Sequence, residues 1–80
     1  MRLDKYLKVT RLIKRRTIAN EACDAGRVLV NGKIARASFT VKENDIIEIN
    51  LGQKQLRVKV LKVSEHSTKE TAGENYIVVD

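Results

Sequence analysis

The spacing of apolar residues in this chain changes from helical to strand-like at Gly26. Before that position, Leu3, Tyr6 and Leu7 cluster on one side of a helix, because successive helical residues are rotated by roughly 100°. After it, short apolar runs are separated by turn residues, a pattern typical of β-strands. The sequence therefore predicts an α+β fold in which helices precede a sheet, with a first amphipathic helix over residues 2 to about 9.

A second helix is predicted after a short cationic connector. Thr17 has the side chain of an N-cap residue, which would accept a hydrogen bond from a free N–H of the first turn. Helical spacing then places Ile18, Ala22 and Ala25 on one apolar face. Gly26 is the expected stop, since glycine readily takes the left-handed conformation that ends many helices. Two consecutive helices would thus form the N-terminal third of the chain.

A β-hairpin is the best-defined element after the helices. Asn31-Gly32 suits a type I′ turn, which needs positive φ at both central residues, and it should join Val28–Val30 to an antiparallel strand at 33–35. Polar residues lead from there to a turn at 43–45. Further strands are predicted at 46–51, 55–63 and 76–79, and the polar stretch 64–74 is predicted to be a flexible loop.

The length of the chain limits it to one domain. A chain of 80 residues buries only about 60% of its unfolded surface and cannot support two hydrophobic cores. We expect residues 1–50 to carry the motif core and residues 51–80 to add C-terminal strands. No apolar run is long enough to span a membrane, and the N-terminus lacks the apolar core of a signal peptide, so we expect a cytoplasmic protein.

The net charge of +6 is concentrated at the N-terminus. Residues 1–16 carry seven basic side chains against Asp4 alone, whereas the other 64 residues carry nine of each sign. Such a block attracts a polyanion, which would be nucleic acid, an anionic membrane or an acidic protein. The seven basic residues are Arg2, Lys5, Lys8, Arg11, Lys14, Arg15 and Arg16.

A charge run can also be a solvated helix face. Such a face normally interleaves acids four residues from the bases, whereas these seven cations have one carboxylate among them and repel one another. Phosphates would relieve that repulsion, and the guanidinium fork matches phosphate oxygens. We therefore predict that the seven basic residues and Asp4 form a nucleic-acid site. Asp4 could orient Arg2 or Arg16, or meet a base or ribose hydroxyl; a simple ion pair with Lys8 is the alternative.

RNA is favoured over the other polyanions. Helices that read the DNA major groove usually carry Asn, Gln, Ser or Thr among their basic residues, and this one has almost none. A membrane-surface helix would bury bulky apolar residues in lipid, but Leu3, Tyr6 and Leu7 are needed by the core. Aromatic residues make up 4% of the chain, too few for a sheet that stacks bases. Structured RNA bound through phosphates is the prediction that remains.

The sequence offers no constellation for catalysis or metal binding. His66 is the single histidine and falls in the predicted loop. Cys23 lies on the second helix, where it is expected to be a small core residue, and one cysteine cannot form an intramolecular disulfide. The four glycines show no phosphate-loop spacing. We expect neither enzymatic activity nor a cofactor nor a metal ion.

Several short motifs follow one another in order through the first 50 residues. They are 2–7 (Arg-Leu-Asp-Lys-Tyr-Leu), Arg11, Arg16, 26–32 (Gly-Arg-Val-Leu-Val-Asn-Gly) and 45–47 (Asp-Ile-Ile). Together they closely resemble the S4-like RNA-binding domain. The resemblance implies two N-terminal helices, the αL motif, packed on a small, mostly antiparallel β-sheet. It also implies that Leu3, Leu7, Val28 and Val30 are core and that Arg2, Lys5, Arg11, Arg15 and Arg16 contact RNA.

The resemblance implies partners as well. Free-standing chains of this length are similar to a small ribosome-associated group within the family, which includes the RqcP-like proteins. Members bind the obstructed large ribosomal subunit carrying peptidyl-tRNA and, with an RqcH-like tailing factor, support the addition of alanine tails to stalled chains. Large-subunit rRNA, peptidyl-tRNA and that tailing factor are thus the implied partners of a monomer. A ribosome-assembly or RNA-chaperone module, and a protein-interaction or membrane-surface module, are the alternatives.

Overall fold

The computed structural model describes residues 1–63 and 75–79, which form two helices and an antiparallel sheet. The strand order across the sheet is β2-β1-β3-β4-β5, and each pair of neighbours is antiparallel. The elements are α1 (Leu3–Val9), α2 (Arg16–Asp24), β1 (Val28–Val30), β2 (Lys33–Ile34), β3 (Ile46–Leu51), β4 (Lys54–Val60) and β5 (Tyr76–Val78). The predicted fold class is confirmed.

Two sequence predictions concern residues that are not described. The predicted loop at 64–74 and His66 within it lie outside the described residues. Within the described ranges, no helix has both the length and the apolar character that a membrane span requires.

The β1–β2 hairpin forms as predicted. Asn31 and Gly32 have φ of 53° and 83°, and Val30 pairs directly with Lys33. The Asn31 side chain also reaches the start of β3, where its Nδ2 donates to Asp45 Oδ1 (3.1 Å) and its Oδ1 accepts from the Ile46 N–H (3.0 Å). One asparagine therefore both permits the turn and ties the hairpin to the central strand.

Strand β4 ends three residues earlier than predicted. It stops at Val60, and the N–H groups of Leu61 and Lys62 both donate to the carbonyl of Asn75, at 2.9 and 3.1 Å. Two residues facing one is the arrangement of a β-bulge, which breaks the regular ladder. The Tyr6 hydroxyl donates to the same carbonyl (2.8 Å), so this point also anchors α1 to the C-terminal part of the sheet.

The core lies between the helices and one face of the sheet. Leu3, Tyr6 and Leu7 of α1 are fully buried, as are Val28 of β1 and Ile47 of β3. Val30, the fourth core residue that the family resemblance implies, is buried too. The core also contains Ile13, Ala19, Ala22, Cys23, Val30, Ala35, Ala37, Val41, Ile49, Val58 and Val60.

The predicted N-cap of α2 is wrong by two residues, because the observed N-cap is Arg15. Of the three residues predicted to form the apolar face, Ala22 is buried but Ile18 and Ala25 are exposed. The helix begins at Arg16, so Thr17 is not the N-cap, and no side chain caps this end. Ile18 is 47% exposed, whereas Ala19 is fully buried. The buried face of α2 consists of Ala19, Ala22 and Cys23, whose side chains are all small.

Residues 36–41, predicted as a polar connection, follow a strand that ends at Ile34, one residue earlier than predicted, and they hold the first turn of α1 in place. Helix α1 has no side-chain N-cap, so its free N–H groups need other acceptors. The N–H of Leu3 donates to Phe39 O (2.8 Å) and that of Asp4 to Ala37 O (3.2 Å). The Val41 N–H donates in turn to Met1 O (2.9 Å). This segment thereby fixes the position of Asp4 relative to the sheet.

Candidate nucleic-acid interface

A buried carboxylate lies at the centre of the basic N-terminal surface. The Asp4 side chain is only 2% exposed and sits in the first turn of α1. Its Oδ1 accepts from Arg2 Nε at 3.2 Å, and its Oδ2 accepts from Arg16 Nε and Asn20 Nδ2, both at 3.3 Å. The Lys5 N–H completes the set at 2.8 Å from Oδ1. We refer to Arg2, Asp4, Arg16 and Asn20 as the Asp4 cluster.

The pKa of the Asp4 carboxyl reflects two opposing effects. Burial alone would raise this pKa, because it disfavours the charged form. Hydrogen bonds from Asn20, Arg16 and Arg2, with the backbone N–H of Lys5, stabilise the carboxylate and outweigh burial. The pKa therefore lies below its ordinary value, and the cluster contains an ionised carboxylate at neutral pH.

This lowered pKa predicts a pH-dependent contribution to folding. A carboxyl group whose pKa is lower in the folded state stabilises the fold fully above its unfolded pKa, here 3.8, and loses that contribution as the pH falls through the folded value. The gap in unfolding free energy between wild type and Asp4→Asn should therefore narrow as the pH drops from about 6 to about 3. Urea unfolding at each pH measures it, and a gap that stays constant would contradict the proposed ionisation.

The two arginines of the cluster keep part of their hydrogen-bonding capacity for a ligand. Their side chains are about half exposed, Arg2 at 51% and Arg16 at 49%. Arg16 donates to Asp4 through Nε, and no hydrogen bond joins its two terminal nitrogens to the carboxylate. A guanidinium held in this way presents a pair of parallel donors, the geometry that binds phosphate through two hydrogen bonds. Asp4 thus orients both arginines, and its ion-pair partners in the described structure do not include Lys8.

A shallow groove runs along the cluster between the two helices. Arg2 and Arg16 contribute the positive charge, and Glu21 of α2 lies at its edge as an exposed acid. The lining residues are Arg2, Asp4, Arg16, Thr17, Asn20 and Glu21.

Of the remaining predicted cations, Lys5 and Lys8 lie on α1, and the other three lie on the connector between the two helices. The connector is anchored by Thr10, whose hydroxyl donates to Tyr6 O (2.7 Å), and by buried Ile13, whose N–H donates to Leu7 O (3.0 Å). Arg11 takes a left-handed conformation, with φ of 62°. Lys8, Arg11, Lys14 and Arg15 are exposed, while Lys5 is half-buried. None of these five side chains is among the residues that line the groove at the Asp4 cluster.

Asn20 is the member of the cluster that the sequence prediction missed. It follows Arg16 by four residues, a spacing that puts two side chains on the same face of a helix. This four-residue spacing is visible in the sequence, but it falls within α2 only if the helix begins at Arg16 instead of Thr17.

Cys23 lies close to the Asp4 cluster, and its thiol is not activated. Burial, together with the negative charges of Asp4 and Asp24, raises the pKa of its thiol to about 11. The group is therefore protonated at neutral pH, consistent with the predicted role as a small core residue. Residues 1–63 and 75–79 contain no group of three His, Cys, Asp or Glu side chains that could hold a metal ion.

Residues 1–47 match the family model described as the S4 domain. This chain belongs to the S4 domain family. The matched span contains both helices, the hairpin and every member of the Asp4 cluster. The S4-like fold expected from the N-terminal motifs is confirmed.

Several curated relatives of this S4 domain share one name. A protein of Streptococcus pneumoniae called RQC P-site tRNA stabilizing factor is 52% identical over 79 residues, covering 99% of this chain and 90% of the relative. A protein of Bacillus subtilis with the same name is 47% identical over 79 residues, covering 99% and 92%. A heat shock protein 15 homolog of Aeromonas salmonicida is 35% identical over 65 residues, covering 81% and 49%.

Solved structures of S4-like proteins have the same arrangement. The trimeric structure of Vibrio cholerae heat shock protein 15 superposes with a TM-score of 0.92 at 28% identity, covering 99% of this chain and 81% of that one. The solution structure of a hypothetical protein gives a TM-score of 0.85 at 28% identity, covering 100% and 98%.

Proposed function

We propose that this chain acts in ribosome-associated quality control, as a factor that stabilises tRNA in the P site of the large ribosomal subunit. Relatives with this name are about half identical to it over nearly their whole length. The observation that carries the proposal is the Asp4 cluster, because it holds two half-exposed arginines in one groove of an S4 domain. Such a groove suits the phosphates of structured RNA.

The RNA contact surface extends from the cluster along the first 16 residues. We infer that Arg2 and Arg16 bind rRNA phosphates through their oriented guanidinium groups, while Asp4 acts mainly by positioning them. The outer cations add attraction that carries no sequence preference. The proposed RNA-binding residues are Arg2, Asp4, Lys5, Lys8, Arg11, Lys14, Arg15 and Arg16.

The proposed partners follow from the same role. The chain would bind large-subunit rRNA and peptidyl-tRNA, and would hold the tRNA while an RqcH-like tailing factor adds alanine to the stalled chain. We propose that it does so as a monomer in the cytoplasm. A role without catalysis agrees with the names of its relatives, which describe a stabilising factor. The trimeric state named for the Vibrio cholerae neighbour makes sedimentation the direct check on the monomer.

Arg16→Gln tests the proposal. Removing one oriented, charge-assisted phosphate contact should cost about 1 to 3 kcal/mol, or about 5- to 150-fold in affinity. The slope of log affinity against log salt concentration, expected at roughly −3 to −5 for wild type, should become shallower by about 1. Co-sedimentation with large subunits carrying peptidyl-tRNA measures both quantities.

Arg57→Gln is the matched control for this experiment. Arg57 lies on β4, is 47% exposed and pairs with Glu48 at 2.7 Å, so the substitution removes the same charge from a similarly exposed arginine on the sheet. Equal losses for Arg16→Gln and Arg57→Gln would reject a specific contact. Binding to immature particles in preference to subunits with peptidyl-tRNA would favour a role in ribosome assembly.

A further inference from the structure

A second concave surface lies at the β1–β2 hairpin. It is a hollow of about 660 Å³, within the range of about 300–1,000 Å³ typical of small-ligand sites. Ile34 and Phe39 provide much of its apolar lining. Ile34 is 68% exposed, whereas Phe39 is half-buried and packs against the core, which holds its ring in place. We call this surface the hairpin hollow.

The charge around the hairpin hollow has one sign. Lys33 and Arg36 are exposed and line it, whereas none of the acidic side chains within residues 1–63 and 75–79 does. Residues 25–42 carry four basic residues and no Asp or Glu. This local positive charge is not apparent from the net charge of residues 17–80, which is zero. Asp45, at the base of the hairpin, is engaged by Asn31 Nδ2 and by the Lys42 N–H. Apolar side chains and two cations line the same hollow, and this combination favours an anionic ligand that also has an apolar face.

The backbone connects the hairpin hollow to the Asp4 cluster. Phe39 O accepts the Leu3 N–H at 2.8 Å, and Thr40 forms a β-bridge with Arg2. The ring that lines the hollow and the arginine that binds Asp4 are thus held on adjoining backbone segments.

We propose that the hairpin hollow binds an unpaired RNA nucleotide, with the base against Ile34 and Phe39 and the phosphate between Lys33 and Arg36. The Ser38 hydroxyl, which also lines the hollow, is available to a base edge or ribose hydroxyl. Proteins hold unstacked bases on aromatic and apolar side chains beside cations that track the backbone. This inference rests on the proposed RNA-binding role and adds a single-stranded element to it.

Ile34→Trp provides a reporter within the hairpin hollow. The chain has no tryptophan, so the new indole is the only one, and the exposed strand position accepts it without changing the core. A single-stranded uridine RNA of about 12 nucleotides should quench its fluorescence as a base stacks on the ring. A blunt RNA duplex of equal length should quench it far less. Leu51→Trp, at a 45% exposed strand position outside the hollow, is the control and should not respond.

The double substitution Lys33→Ser and Arg36→Ser, made in the Ile34→Trp chain, tests the phosphate contacts. The affinity for the uridine RNA should fall about tenfold, and its log–log salt slope should become shallower by about 1.4. Equal quenching of both tryptophan reporters, equal quenching by duplex, or no effect of the double substitution would overturn the inference. Quenching by an acidic peptide in place of RNA would indicate a protein ligand and would also overturn it.

Sedimentation with large subunits separates this inference from the proposed function. If wild type binds the subunits but the Ile34→Trp chain is not quenched by uridine RNA, the inference about the hairpin hollow fails by itself. If the chain does not bind the subunits, the proposed function fails whatever the oligonucleotide does.

Discussion

Asp4→Asn is expected to weaken binding to large-subunit RNA at least tenfold, although it raises the net charge of the chain from +6 to +7. An attraction that depended on total charge alone would instead become stronger. The asparagine side chain keeps one acceptor oxygen but has an NH2 donor in place of the other, so at least one of the two guanidinium groups loses its partner and its fixed orientation. Co-sedimentation at several salt concentrations measures the affinity.

Glu21→Gln is the matched control for Asp4→Asn. Glu21 lines the same groove and is exposed, so its substitution raises the charge equally without removing a partner from either arginine. We expect equal or slightly tighter binding for this variant. If Asp4→Asn bound as tightly as Glu21→Gln, the idea that Asp4 positions the arginines would have to be abandoned. Circular dichroism and thermal unfolding must show that both variants are folded.

Leu7→Ala should produce the largest loss of stability among the substitutions considered. Leu7 is fully buried between α1 and the sheet, and truncating such a leucine costs about 2 to 5 kcal/mol. A domain of this size has a total stability of only about 4 to 12 kcal/mol, so the melting temperature should fall by about 10 °C or more. Thermal unfolding followed by circular dichroism measures the change.

Leu51→Ala supplies the comparison for Leu7→Ala. Leu51 ends β3 and is 45% exposed, so the same change of side chain removes much less buried surface, and the loss should stay below about 1 kcal/mol. Similar losses for the two variants would mean that the core is not where the structure places it.

Local patterns in the sequence predicted most of the fold. The hairpin was predictable because Asn31-Gly32 suits one type of turn, and α1 because Leu3, Tyr6 and Leu7 lie on one side of a helix. The face of α2 was not, because alanine is small enough to be read as either core or surface. Choosing between Ile18 and Ala19 required knowing how closely α1 approaches, which is a tertiary contact. The same holds for residues 36–41, whose carbonyls replace a helix cap that no local signal announces.

The candidate site was predictable as a set of residues but not as an arrangement. Charge counting identified the seven cations and Asp4, since the rest of the chain is neutral in sum. It could not choose a role for Asp4, because Arg2, Lys8 and Arg16 were all possible partners. The choice depends on α2 packing beside α1, which brings Arg16 and Asn20 within 3.3 Å of the carboxylate. The hairpin hollow was missed because summing the charge of residues 17–80 concealed the basic stretch from 25 to 42.

The backbone bonds from residues 37–39 to the first turn of α1 affect the order in which the protein matures during its own synthesis. All seven N-terminal cations have been translated long before Ala37 and Phe39, yet the acceptors that fix the start of α1 come from those later residues. A nascent chain that ends before Ala37 therefore carries all seven cations but lacks the carbonyl acceptors that hold the first turn of α1. The start of α1, and with it the position of Asp4, can be fixed only after the hairpin and the segment that follows it have been synthesised and have docked.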